Sequence, residues 1–89
     1  TGIWKRFEHG KLVESIHIKR SGSGYVAIFN VPGNPDYSRA VGNLKQNLLE
    51  LKAQKGIVCK IEVKGDMLFY RSYNSDGTFR WKGKYSRDK

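Results

Sequence analysis

The chain has 89 residues, 38% hydrophobic and 12% aromatic, which suits one folded domain and leaves no room for a second. Its 17 Lys and Arg against 8 Asp and Glu give a formal charge of +9, which favours a polyanionic partner and excludes an acid-rich mimic of nucleic acid. No apolar run nears the ~20 residues of a membrane-spanning helix, no signal-peptide pattern is present, and the lone Cys59 cannot form an internal disulfide.

In chain order, Ile3–Glu8 and Lys11–Lys19 read as strands joined at His9-Gly10. The composition of Ser21-Gly22-Ser23-Gly24 suggests a loose, mobile loop, and Tyr25–Val31 reads as a third strand. Asn34-Pro35-Asp36 then supplies an N-cap, a proline at the first helical position and an acid in the first turn. Tyr37, Val41, Leu44, Leu48 and Leu51 follow at helical spacing beside Ala40, and Gly56 suits a C-cap. These signals predict a central helix, weakened only by Gly42, which costs ~1 kcal/mol against alanine. Beyond it, Ile57–Lys64 and Met67–Tyr73 join at Gly65-Asp66, Thr78–Tyr85 follows Asp76-Gly77, and residues 86–89 read as a frayed polar tail. The expectation is an α+β domain over residues 1–85, βββ-α-βββ, with two antiparallel meanders packed on one helix.

Turn positions set strand register, and register decides which side chains share a face. Two-residue loops at Gly65-Asp66 and Asp76-Gly77 put Cys59, Ile61, Val63, Leu68, Tyr70, Trp81 and Tyr85 on one face, apolar enough to pack on the helix. The other face carries Lys60, Lys64, Phe69, Arg71, Tyr73, Arg80, Lys82 and Lys84, along with Glu62 and Met67. In this register Arg71 opposes both Lys60 and Lys82, Tyr73 opposes Arg80, and Phe69 opposes Lys84. Directly opposed like charges destabilise a sheet by some tenths of a kcal/mol each, so a chain that keeps such a column has a use for its field. Spaced cations suit phosphates and interleaved aromatics suit unpaired bases. A solvated, aggregation-resistant face is the plainer alternative. By the same logic the first hairpin places Trp4, Arg6, Val13, Ser15, His17 and Lys19 on the face opposite Ile3, Lys5, Phe7, Leu12, Glu14, Ile16 and Ile18. Trp4 either extends the basic platform or caps the core. Lys19-Arg20 before the Ser/Gly loop can grasp a phosphate or simply lead into a hairpin.

These residues point first to a small nucleic-acid-binding module, DNA or RNA, with single strands slightly favoured over duplex because no helix looks built for a major groove. A second reading is a small basic ribonuclease of toxin type, resting on fold-level analogy, with His17, Glu62, Arg71, Tyr73 and Arg80 as raw material for acid–base chemistry. A third is an adaptor for an acidic protein, and exposed sheet edges would also allow a homodimer. Neither His9 nor His17 has the spacing of a metal pair, and nothing around Phe69 or Phe79 matches an aromatic RNA-binding consensus. The expectation is a metal-free, cofactor-free, intracellular domain without a membrane partner.

Overall fold

A computed structural model describes residues 2–34 and 37–88. Eight antiparallel strands in simple meander order close into a barrel: β1 (Gly2–Glu8), β2 (Lys11–Ser21), β3 (Gly24–Asn30), β4 (Tyr37–Lys45), β5 (Leu48–Lys52), β6 (Val58–Lys64), β7 (Met67–Tyr73) and β8 (Phe79–Arg87). Among the described residues the only helical turn is a 3-10 turn at Gln54–Gly56. The protein is therefore all-β, and the predicted central helix is overturned. Where it was expected, β4 and β5 form a hairpin that bridges the two meanders, Leu44 facing Leu49 and Gly42 facing Leu51. Pro35 and Asp36 of the expected N-cap lie outside the described residues.

The apolar residues of this segment fit two periods. Val41, Leu44, Leu48 and Leu51 repeat as a helix would, yet Ala40, Leu49 and Leu51 are the buried ones, while Val41 stands 51% exposed. Alternation about a turn at Gln46-Asn47 gives that result, with Gln46 in the left-handed region at φ 57°. Gly42, a cost to a helix, is a requirement of the barrel: a Cβ there would lie 2.0 Å from the Glu50 carbonyl oxygen. Local propensity is a weak prior. Pairing β4 with β3 and β5 with β6 satisfies two sheet edges that a helix would have left open.

Inward alternation from all eight strands packs the middle of the barrel. Trp4, Ile16, Ala27, Leu51, Ile61, Leu68 and Tyr85 are all at most 2% exposed, each large apolar side chain contributing ~1.5–3 kcal/mol. Trp4 is thus a core residue, and the reading that placed it on an outer platform is corrected. The cause is a bulge: Arg6 pairs with Glu14 and Phe7 with Leu12, so Val13 is passed over and β1 turns its Trp4 face inward opposite Ile16.

The ring closes between β1 and β8 through Trp4↔Arg87 and Lys5↔Ser86. The Arg87 guanidinium stacks 4.8 Å from the Trp4 ring, Lys5 pairs with Asp88 at 3.1 Å, and the Asp88 N–H donates to the Ile3 carbonyl at 2.8 Å. Ser86 and Arg87, assigned from sequence to a frayed tail, are strand residues at this seam. The seam is short: Phe79–Tyr85 of β8 has no ladder partner on β1 among the described residues. The expected mobile loop at residues 21–24 is a two-residue turn between Ser21 and Gly24, which pair with each other. Lys19 and Arg20 lie within β2.

Candidate nucleic-acid interface

β6, β7 and β8 carry the candidate site, and two turns set their register. Gly65, at φ 61°, closes a two-residue loop that pairs Lys64 with Met67. From there Lys60 falls opposite Arg71, and Arg71 opposite Lys82, so three cations line up across three adjacent strands. Phe69 pairs with Lys84 and stands 39% exposed beside the column. Lys60, Lys64, Phe69, Arg71, Lys82 and Lys84 together line an outer depression of about 490 Å³, completed by Leu48, Glu62 and Gly83.

The charges here are unevenly matched. Lys64 lies 3.7 Å from Glu62 and 5.9 Å from the Phe69 ring centre. Lys60 sits 5.2 Å over the Tyr73 ring. Among the described residues none of Lys60, Arg71, Lys82 and Lys84 has a carboxylate within 4.0 Å. The depression therefore has a cationic floor with aromatic faces at its centre and edge.

Arg80 leaves this group. The loop between β7 and β8 spans Ser75–Gly77, one residue longer than a two-residue turn. The Asn74 N–H donates to the Thr78 carbonyl at 2.8 Å and Asp76 accepts from the Thr78 N–H at 2.9 Å. Tyr73 consequently pairs with Phe79 rather than Arg80, and a bulge at Arg80 restores Ser72↔Trp81. Arg80 instead borders a cavity of about 230 Å³ at the barrel end, with Glu14, Cys59 and Trp81. Phe79 takes the vacated place, 54% exposed and edge-on to Tyr73 at 5.8 Å. The sequence reading missed it because a compensated bulge leaves no mark in the residue pattern.

The constellation weighed for a ribonuclease is not assembled. Glu62, Arg71 and Tyr73 share the β6–β7 wall, Arg80 is at the barrel end, and His17 lies on β2, four strands from β6 in a ring of eight. Most polar chemistry in the interior is structural. Glu14 accepts a hydrogen bond from the Tyr85 hydroxyl and lies 3.8 Å from Arg6 Nε, while the Arg6 guanidinium stacks 5.3 Å from Trp81. Burial, reinforced by the Glu14 carboxylate, pushes the Tyr85 hydroxyl well above its ordinary range. Burial does the same for Tyr70, whose hydroxyl is 3.3 Å from Cys59 Sγ. The buried Cys59 thiol is likewise pushed up by burial, which disfavours its thiolate form. Among the described residues no cluster of His, Cys, Asp or Glu could hold a metal, and no helix is long and apolar enough to cross a membrane. The chain matches no protein-family model, no curated protein and no solved structure.

Proposed function

We propose that this chain is an intracellular binding module for single-stranded nucleic acid, DNA or RNA, which lies across the outer face of β6, β7 and β8. The observation that carries the reading is the Lys60–Arg71–Lys82 column, three directly opposed cations flanked by exposed Phe69, in which only Lys60 also faces an acid, Glu50 on β5, itself paired with Lys45. Phosphates would be met by Lys60, Lys64, Arg71, Lys82 and Lys84, and unpaired bases would stack on Phe69 and on Tyr73 with its neighbour Phe79. Such a face tracks a flexible strand better than a duplex, because stacking needs bases that are already splayed. The bulged Arg80 is left out of this set.

The test is fluorescence anisotropy with labelled single-stranded DNA, single-stranded RNA and duplex DNA over a salt series. Five phosphate contacts at about −0.7 each predict a log–log salt slope of about −3.5 for single strands. A Lys60/Arg71/Lys82 triple alanine variant should lose most of the affinity and flatten the slope by about 2. Flat, negligible binding to all three polymers would overturn the proposal and leave an acidic protein as the partner to seek. Binding that the triple variant leaves unchanged would overturn the assignment of the face.

A further inference from the structure

The two ends of the barrel are finished differently. At one end, near the β1–β2 and β7–β8 turns, the interior is plugged by the Glu14–Tyr85–Arg6 cluster stacked on Trp81. At the other, ringed by the β2–β3, β4–β5 and β6–β7 turns, the described residues place Arg87 over Trp4 but form no such carboxylate–hydroxyl cluster. Leu44 and Val63 point inward there by strand alternation, since Leu44 pairs with buried Leu49 and Val63 with buried Leu68. Both nevertheless remain open to solvent, at 53% and 43%. Behind them lies a cavity of about 350 Å³ whose walls include Tyr25, Ile18 and Ile61 and which Trp4 borders. That volume falls at the low end of small-molecule sites, ~300–1,000 Å³. An eight-stranded barrel is just wide enough to fill itself or to hold one small ligand, and the cavity at this end exceeds the one of about 230 Å³ at the other.

The charges around this mouth select the ligand. The Arg20 guanidinium stacks 5.7 Å from the ring of Tyr25, a wall residue, and that of Arg87 stacks 4.8 Å from Trp4. Lys64 is at the rim, beside Glu62. The chamber is apolar on its inner walls, Ile18, Leu49 and Ile61, and polar at its mouth, where Gln46 and Asn47 join Glu62 and Lys64. We propose that this mouth binds one medium-chain amphiphile with an anionic end, its tail covering Leu44 and Val63 and its head drawn to Lys64 at the rim and to the Arg20 and Arg87 guanidiniums that stack on the wall residues Tyr25 and Trp4. Covering exposed apolar surface drives the tail inward. The rim cations give an anionic head an advantage over a neutral or cationic one.

Calorimetric titration with decanoate, kept below micelle formation, tests this on the intact chain. One site per chain is expected, with decanoate at least fivefold tighter than decanol. Leu44→Glu should weaken decanoate at least tenfold. Val41→Glu is the matched control: Val41 lies on the same strand with nearly the same exposure but faces outward, and it should change affinity less than twofold. Thermal melts of both variants separate loss of the site from loss of the fold, and Val63→Glu gives a second reading should Leu44→Glu unfold. Absence of decanoate binding, or equal effects of Leu44→Glu and Val41→Glu, would overturn the proposal. So would binding confined to vesicles of phosphatidylcholine and phosphatidylglycerol, because the ligand would then be a bilayer surface. The site shares only Lys64 and Glu62 with the depression on β6–β8, so nucleic-acid binding can fail while this one stands.

Discussion

The inner and outer faces of β6–β8 are built from alternate residues of the same three strands, yet they answer to opposite constraints. Inside, Cys59, Ile61, Leu68, Tyr70, Ser72 and Tyr85 are all at most 6% exposed. Outside, at the neighbouring positions, Lys60, Arg71 and Lys82 oppose one another in a column that the fold alone would not choose. The inner face is what a barrel needs to exist. The outer face is what it can spend on a partner, because a side chain there can change without disturbing the packing beneath. A substitution should therefore move stability or binding according to its parity along the strand, and adjacent residues should behave as opposites.

Leu68 and Phe69 give the largest contrast. Leu68→Ala empties a position that is 0% exposed and should cost about 2–5 kcal/mol in denaturant unfolding. A chain of this length holds only on the order of 10 kcal/mol in total. Phe69→Ala, one residue on, should leave stability within about 1 kcal/mol and weaken single-strand binding by the value of one stacked base, about 1–3 kcal/mol. Equal unfolding midpoints for the two variants would end the two-face account.

Raising pH tests the inner face in another way. Tyr70 and Tyr85 have hydroxyls held above the ordinary tyrosine value of 10.0 by burial, with Cys59 and Glu14 respectively adding to it. Folding therefore favours the neutral phenol. Its contribution is fully present below about pH 10 and is lost as pH rises beyond that, since the unfolded chain releases the proton first. Melting temperature should fall from pH 9 to pH 11, and Tyr70→Phe should fall less steeply than the parent. A flat profile over that range would show that neither hydroxyl is sealed.

Parity was legible in the sequence for β6–β8 because its punctuation is strong. Gly65-Asp66 set the first hairpin correctly, down to Lys60↔Arg71. At β7–β8 two errors cancelled: the loop is one residue longer than a two-residue turn, and bulged Arg80 takes up the difference. As a result Tyr73 kept its face but paired with Phe79 in place of Arg80. In β1–β2 a single bulge at Val13 had nothing to cancel it, and Trp4 came out on the wrong face. The β4–β5 hairpin was illegible for a different reason. Gln46-Asn47 is a weaker turn signal than a pair containing Gly, and five residues from Tyr37 to Leu51 fell at helical spacing by coincidence. What decided the outcome was non-local: the open edges of β3 and β6, and the close approach of the Gly42 backbone to Glu50. The open mouth at Leu44 and Val63 was hidden with it, since a helix would have buried Leu44.

The smallest effect is the most discriminating, because its two parts have opposite signs. Arg71 lies between two cations, directly opposite Lys60 on one side and Lys82 on the other. Arg71→Thr removes both like-charge contacts and substitutes a residue that favours strands. It should raise the unfolding free energy by a few tenths of a kcal/mol up to about 1. The same variant loses the central cation of the proposed phosphate track, so single-strand affinity should fall and the salt slope should flatten by about 0.7. The gain in stability should shrink at high salt, where exposed charges are screened. Were the column present only for solubility, Arg71→Thr would stabilise the barrel and leave nucleic-acid binding where it was. Were Arg71 held in place by a structural role, stability would fall instead. Only a site whose repulsion is tolerated for the sake of a polyanion gives a more stable protein that binds less well.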